Sequence, residues 1–228
     1  MKLVTLSTGS KGNCYLLQSN NGKFCVLDCG IKFQDITNNE NFSSFRNLDF
    51  VFCSHIHRWH EDHSKSLEDF KNSGCEIISY ENIIPNKVVS IGQWNIYSFA
   101  VKHNVDNYGA IICDKVENKK IVYVTDFVEM PLIQNVDFWI YEINYDNETI
   151  DKLIDNSDIS TLHTANNIKY HNSLENAEQY FSSLNNKPKL LIVCHTSKLG
   201  GTEENIKQKM MPLCENVEIA KKSKIISF

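Results

Sequence analysis

No apolar run in this sequence approaches the length of a membrane span, so a spanning helix is not expected. A charged-then-apolar leader is also missing. Met1-Lys2-Leu3 opens directly into a strand pattern, which predicts no signal peptide and a cytoplasmic protein. Positive charge is not in excess. A net charge of −5 argues against a protein that grips long nucleic acid by its phosphates, although a local basic patch is compatible with it. Internal repeats, low-complexity linkers and domain boundaries are absent, which predicts one domain over residues 1–228. A second cysteine pair at zinc-finger spacing is lacking. Cys25 and Cys29 therefore stand alone, and the scattered set (Cys14, Cys25, Cys29, Cys53, Cys75, Cys113, Cys194, Cys214) reads as buried reduced thiols in apolar strands. Proline is scarce and Asn and Lys are abundant, a bias that carries no mechanism.

What is present is a soluble globular composition, 42% hydrophobic, with one unusual stretch at Ser54–Phe70. The apolar strand Phe50-Val51-Phe52-Cys53 runs straight into Ser-His-Ile-His-Arg-Trp-His-Glu-Asp-His, and a helix is predicted from about Ser64. Imidazoles and carboxylates packed this closely suit Zn²⁺, Mn²⁺ or Fe²⁺ in a site that does chemistry. His55 and His57 are two apart, so in extended chain both point to one side. Asp62 and His63 are adjacent at the mouth of the helix, where a loop could aim both at one point. The competing reading is a solvated polar loop beside a core strand.

Around this stretch the pattern alternates at first and turns helical later. Strands are predicted at Lys2–Ser7, Cys14–Gln18 and Phe24–Leu27, the last two forming a hairpin about Asn20-Asn21-Gly22. Further strands are predicted at Glu76–Ser79, Val88–Ser90, Trp94–Val101, Tyr108–Cys113, Lys120–Thr125, Asp137–Glu142 and Lys189–Cys194. A short helix is expected at Ser43–Asn47, and longer ones at Thr149–Asp155, at Leu174–Leu184 and after a Thr202 cap. Periodicity alone says mixed α and β, an α+β chain.

The Ser54–Phe70 stretch resembles the His-x-His-x-Asp-His signature of the metallo-β-lactamase fold hydrolases, with a departure. Four residues, Arg58-Trp59-His60-Glu61, separate His57 from Asp62 where the family has one. In one register His55 and His57 keep their places and Arg58-Trp59-His60 bulges out as an insertion. In the other, His60-Glu61-Asp62-His63 is read without a gap and Arg58 takes the first histidine's slot. A guanidinium stays protonated and cannot ligate, which favours the first register. The resemblance implies a four-layer αββα metallo-β-lactamase sandwich.

It also implies two divalent metal ions, zinc first and manganese as the alternative, with ligands at the ends of later strands. His103 followed by Gly109 looks like the family's third motif, Asp126 like the bridging aspartate of the fourth, and His195 like the fifth. Asp28 looks like the aspartate that orients the metal loop. Carried over, one metal would take His55, His57 and His103. The second would take Asp62, His63 and His195, with Asp126 bridging both and Asp62 also placed to accept a proton from the nucleophile.

Ser7-Thr8-Gly9-Ser10-Lys11-Gly12-Asn13-Cys14-Tyr15 looks like the Gly-Ser-x-Gly-Asn opening of the WalJ-type (YycJ-type) branch and its phage relatives. Tyr141–Asp146 and Tyr170–Ala177 look like two later segments of that branch. On the analogy of RNase Z, His171 would be the general acid and phosphate contact and Glu142 its orienting partner; the alternative is that His171 merely caps its helix. His163 has no motif around it and reads as a surface residue. Between His103 and Asp126 there is no room for the tRNA-clamping arm of RNase Z, and the extra domain of β-CASP nucleases is absent. The phage anti-Pycsar proteins are most similar in length and first motif. They imply a two-metal phosphodiesterase opening 3′,5′-cyclic mononucleotides such as cCMP and cUMP, and a homodimer in which Ile31–Phe45 or Asn82–Asn86 could reach the neighbouring site. The alternatives are a WalJ-like nuclease, with Lys11, Arg58, Lys65 and Lys102 as its basic contacts, and a non-catalytic nucleotide-binding module.

Overall fold

Alternation of side chains along the strands decides how the layers form. In the computed structural model, which describes residues 1–57, 61–155 and 168–228, thirteen strands make two sheets. The first has the order β13-β1-β2-β3-β4-β5, built from Ile225–Ser227, Lys2–Ser7, Cys14–Gln18, Phe24–Cys29, Leu48–Cys53 and Ile77–Ser79. The second has the order β12-β11-β10-β9-β8-β7-β6, built from Val217–Ile219, Leu190–Cys194, Phe138–Glu142, Lys119–Val124, Asn107–Asp114, Trp94–Val101 and Val88–Ile91.

Each central strand is buried on both faces, so its alternate residues enter different cores. In β9, Ile121 and Tyr123 face the core between the sheets, beside Leu27, Phe52 and Ile192. Val122 and Val124 face outward, under α4 (Leu174–Ser182) and α5 (Glu203–Met210). On the other side, Val26, Val51 and Cys53 pack under α1 (Phe33–Thr37) and α2 (Glu61–Asn72). Helix, sheet, sheet, helix is the αββα order expected from the resemblance. A further helix, α3, spans Asn147–Asp155 between β10 and α4.

The helix expected at Ser43–Asn47 is a turn instead. Asn47 and Leu48 N–H both close on the Ser44 carbonyl, and the chain then enters β4 after too few residues to sustain a helix. Periodicity also passed over α1, β12 and β13, all five residues or fewer. Arg58, Trp59, His60 and His163 lie outside the described residues, and with them the proposed insertion. No helix among the described residues is long and apolar enough to cross a membrane.

β3–β4–β5 and β9–β10–β11–β12 are parallel runs. Parallel strands end together, so the loops leaving β3, β4, β9, β10 and β11 cluster at one edge of the sandwich. The three residues Asp28, Asp126 and His195 there have left-handed backbones, with φ of 55°, 55° and 52°. Such a conformation costs a non-glycine residue on the order of 1–3 kcal/mol and is held only where the surroundings fix it. Asp28 is the extra residue of a bulge, since Cys14 pairs with Cys29 while Tyr15 pairs with Leu27.

Candidate metal centre

Strand ends deliver the side chains to a single cleft of about 430 Å³. His55 leaves β4, His103 follows β7, Asp126 follows β9, Glu142 ends β10 and His195 follows β11. His55, His57, His103 and Asp126 present donor atoms within 4.8 Å of one another, and so do Asp126, Glu142, His171 and His195. Asp126 belongs to both groups, which is where a bridging carboxylate would sit.

Hydrogen bonds set the tautomers. His103 Nδ1 lies 2.9 Å from the Tyr170 carbonyl and must donate to it, leaving a bare lone pair on Nε2, 3.2 Å from His57 Nε2. Ser54 Oγ gives its proton to Asp28, at 2.9 Å, and so can accept from His55 Nδ1, also at 2.9 Å. His55 Nε2 is then a free acceptor. Asp28 is tied by Ser54 N–H at 2.7 Å and by Tyr123 Oη–H at 2.5 Å. These bonds use its oxygens to hold the start of the metal loop, the orienting role expected for it.

Burial drives both His55 and His103 toward the neutral form; the neighbouring imidazoles add to this, and Asp126 opposes it. Burial alone would raise Asp126, but His195 and the other rings hold its carboxyl far below the usual range. Two imidazole nitrogens 3.2 Å apart, as in His103 and His57, need either a proton or a cation between them. His195 Nε2 is buried with no hydrogen-bond partner. A divalent ion supplies what these donors lack, so the residues fit metal.

His171 stands over this group. Its Nδ1 is 2.7 Å from Oε1 of Glu142, which is fully buried, and 3.7 Å from Asp126 Oδ1. Burial would lower the ring's pKa, but the Glu142 charge and hydrogen bond outweigh it and push it up to about 9. The helix cap beyond it is Ser173, whose Oγ accepts from Asn176 N–H. His171 is therefore not the cap.

Asp62 and His63 are separated by the structure. The helix begins at Glu61, earlier than the predicted Ser64, so the two residues lie on its first turn, about 100° apart. His63 takes the buried face with Ser66, Leu67 and Phe70, and Asp62 is exposed. Among the described residues, Asp62 joins none of the ligand groups. His63 lines the cleft, but its Nε2 is 3.5 Å from Cys53 Sγ.

Asn13 received no role in the sequence reading. Gly9 N–H donates to its Oδ1 at 3.0 Å, and its Nδ2 lies 3.1 Å from Thr125 Oγ1 and 3.2 Å from Asp126 Oδ2. His195 Nδ1 lies 3.2 Å from its Oδ1. One amide thus joins the β1–β2 turn to the ends of β9 and β11. Three of these partners, Thr125, Asp126 and His195, are over a hundred residues away, and nothing local in the sequence marks them.

No protein-family model matches the chain, and no curated protein matches it in sequence. Solved structures do match in fold. The metallo-β-lactamase fold protein YhfI from Bacillus subtilis superposes with a TM-score of 0.69 at 18% identity, over 99% of both chains. Unliganded yeast PDE1 gives 0.67 at 12% identity, covering 100% of this chain and 99% of that one. The short form of human tRNase Z gives 0.61 at 15% identity, with the same coverage. The chain has the metallo-β-lactamase fold.

Proposed function

We propose that this chain is a metal-dependent phosphodiesterase that hydrolyses 3′,5′-cyclic mononucleotides, cCMP and cUMP foremost and cAMP and cGMP in the same class, to 5′-monophosphates. The observation that carries the reading is His171, held by the buried Glu142 carboxylate over a cluster of four histidines and Asp126. The departing O3′ alkoxide is a poor leaving group, and a proton delivered in the transition state removes that obstacle. With Nδ1 bound to Glu142, His171 offers Nε2–H to O3′ as the P–O3′ bond breaks.

His55, His57, His103, Asp126 and His195 would hold the metal ions, zinc or manganese. When bound, such ions supply an activated water and neutralise charge building on phosphorus. The protein's own part is positioning. Ser54 and the Tyr170 carbonyl fix which nitrogen of His55 and His103 is bare, and Asn13 fixes His195 and Asp126 together.

The cleft volume is in the range that encloses a small molecule. A basic groove for a polymer is less well supported, because Lys102 is ion-paired to Glu129 beside His103. The likeness to tRNase Z favours the nuclease as the second reading. The resemblance of Ser7–Tyr15 to the phage anti-Pycsar proteins supports a homodimer that removes the cyclic-nucleotide signals of bacterial defence.

The test is a panel of cyclic mononucleotides beside short single-stranded DNA and RNA, incubated with zinc- or manganese-loaded protein and read by chromatography. Appearance of 5′-monophosphates with intact oligonucleotides supports the proposal. Cut oligonucleotides with untouched cyclic substrates replace it by the nuclease reading, and no turnover at all by the binding module.

A further inference from the structure

Two of the three left-handed residues carry candidate ligands, and each of these is held by an asparagine amide from a neighbouring strand end. Asp126 and His195 have φ of 55° and 52°. Both lie just past their strands, so their carbonyls are outside the ladder and require donors from elsewhere. Asn107 opens β8 and is 2% exposed. Its Nδ2 donates one hydrogen to the Thr125 carbonyl at 2.9 Å and the other to the Asp126 carbonyl at 2.5 Å. Its Oδ1 accepts from Tyr108 N–H at 2.8 Å, which fixes the orientation of the amide. Asn144 follows β10 and is equally buried. Its Nδ2 donates to the His195 carbonyl at 2.9 Å. Its own backbone is anchored as well: its N–H donates to the Asn172 carbonyl at 2.9 Å, and its carbonyl accepts from Ser197 N–H at 3.0 Å.

We infer that Asn107 and Asn144 are positioning residues for metal binding, which hold Asp126 and His195 in the left-handed conformation that turns their side chains into the cleft. The inference rests on the metal-binding reading of this cleft. The sign of φ decides on which side of the chain Cβ leaves. Relaxation to negative φ, which a non-glycine residue favours, would swing the Asp126 carboxylate and the His195 ring out of their donor groups. The amide bonds oppose that relaxation. At Asn107 no other small polar group would serve, because two carbonyls must be met: a serine carries one hydrogen and a carboxylate none. Asp28, the third left-handed residue at this edge, is held differently, through its own carboxylate by Ser54 and Tyr123.

The two asparagines act on different parts of the cluster. Asp126 belongs to both donor groups, so Asn107 bears on both. His195 belongs to one, with Asp126, Glu142 and His171, so Asn144 bears on that one alone. Outer partners that orient a ligand change metal affinity by about 10–100-fold. The coupling is reciprocal: an ion that favours the held conformation also strengthens the hold.

The test is titration of the metal-free full chain with Zn²⁺ against a chromophoric chelator, with the urea midpoint as the check on folding. The wild type is expected to take up two equivalents. Asn107→Ser should weaken both by about 10–100-fold, and Asn144→Ser only one, leaving the other at its wild-type value. Folded variants that bind both equivalents as the wild type does overturn the inference, and so does an Asn144→Ser that weakens both alike. A second measurement decides even if a serine variant fails to fold. In the wild type, the side-chain amide protons of Asn107 and Asn144, followed by ¹⁵N-resolved NMR, should exchange slowly with solvent, and more slowly still once Zn²⁺ is bound; exchange that Zn²⁺ leaves unchanged overturns the inference. Absence of Zn²⁺ uptake by the wild type overturns the metal-binding reading and the inference with it, whereas unchanged uptake by folded variants leaves that reading standing.

Discussion

His171 and Glu142 make a matched pair whose members depend on each other. Replacing His171 with Ala should lower turnover about 10²–10⁴-fold, the usual worth of a positioned general acid. Metal content, read by elemental analysis, should stay unchanged; loss of metal would make His171 a ligand and remove the acid. The ring's pKa of about 9 means that the proton needed for the leaving group is present at neutral pH. The acid-dependent rate should fall as pH rises through about 9, and Glu142→Gln should move that fall to lower pH. The pair's contribution to stability follows the same sign: complete below the ordinary histidine value of about 6.5, and lost as pH rises through about 9. An alkaline limb unmoved in Glu142→Gln would mean that another group titrates there. For Asp126, substitution by Ala should abolish both turnover and retention of metal through dialysis, because it is shared by both donor groups. A variant that still retains metal and turns substrate over would remove Asp126 from the centre.

The β1–β2 turn shows what a short element can be required to do. Gly12 has φ +121°, and a Cβ there would lie 2.0 Å from the Gly30 carbonyl oxygen. The crossing of Gly12 and Gly30 lets Asn13 reach Asp126 and His195. Gly12→Ala should cost about 3 kcal/mol, read as a lowered urea midpoint, and should lower turnover as well. An unchanged midpoint would show that the turn relaxes freely. Much of this cluster was legible in the sequence because its candidate ligands fall at the ends of apolar strands: His55 after Phe50–Cys53, Asp126 after Ile121–Thr125, His195 after Leu191–Cys194. What was not legible was direction. Adjacency suggested that Asp62 and His63 share a surface; the helix starting at Glu61 gives the buried face to His63 and leaves Asp62 exposed.

Across the whole molecule the two sheets are joined by their shared core and by a polar latch at one corner. Glu117, on the β8–β9 turn of the second sheet, accepts from Asn20 N–H at 2.6 Å and Ser19 Oγ–H at 2.8 Å on the β2–β3 turn of the first. Burial would raise the carboxyl, but these donors hold it down at about 2. A depressed carboxylate stabilises the fold above its ordinary value of about 4.3 and stops doing so as pH falls toward about 2. Glu117→Gln should therefore lower stability by about 1 kcal/mol at neutral pH. Thermal melts of variant and wild type should converge as pH falls below about 4.3. A gap that persists unchanged into acid would show that the latch works through shape and not charge.

The amide of Asn13 has one further consequence, in the order of assembly. Its bond to His195 spans 182 residues of chain, and contacts so distant in sequence form late, after the loops between them have closed. A chain stopped short of β11 could gather His55, His57, His103 and Asp126, but it would have neither His195 nor the anchor between the β1–β2 turn and β11. The donor cluster is thus a reporter of completed folding: its second half comes into being when the two sheets have met.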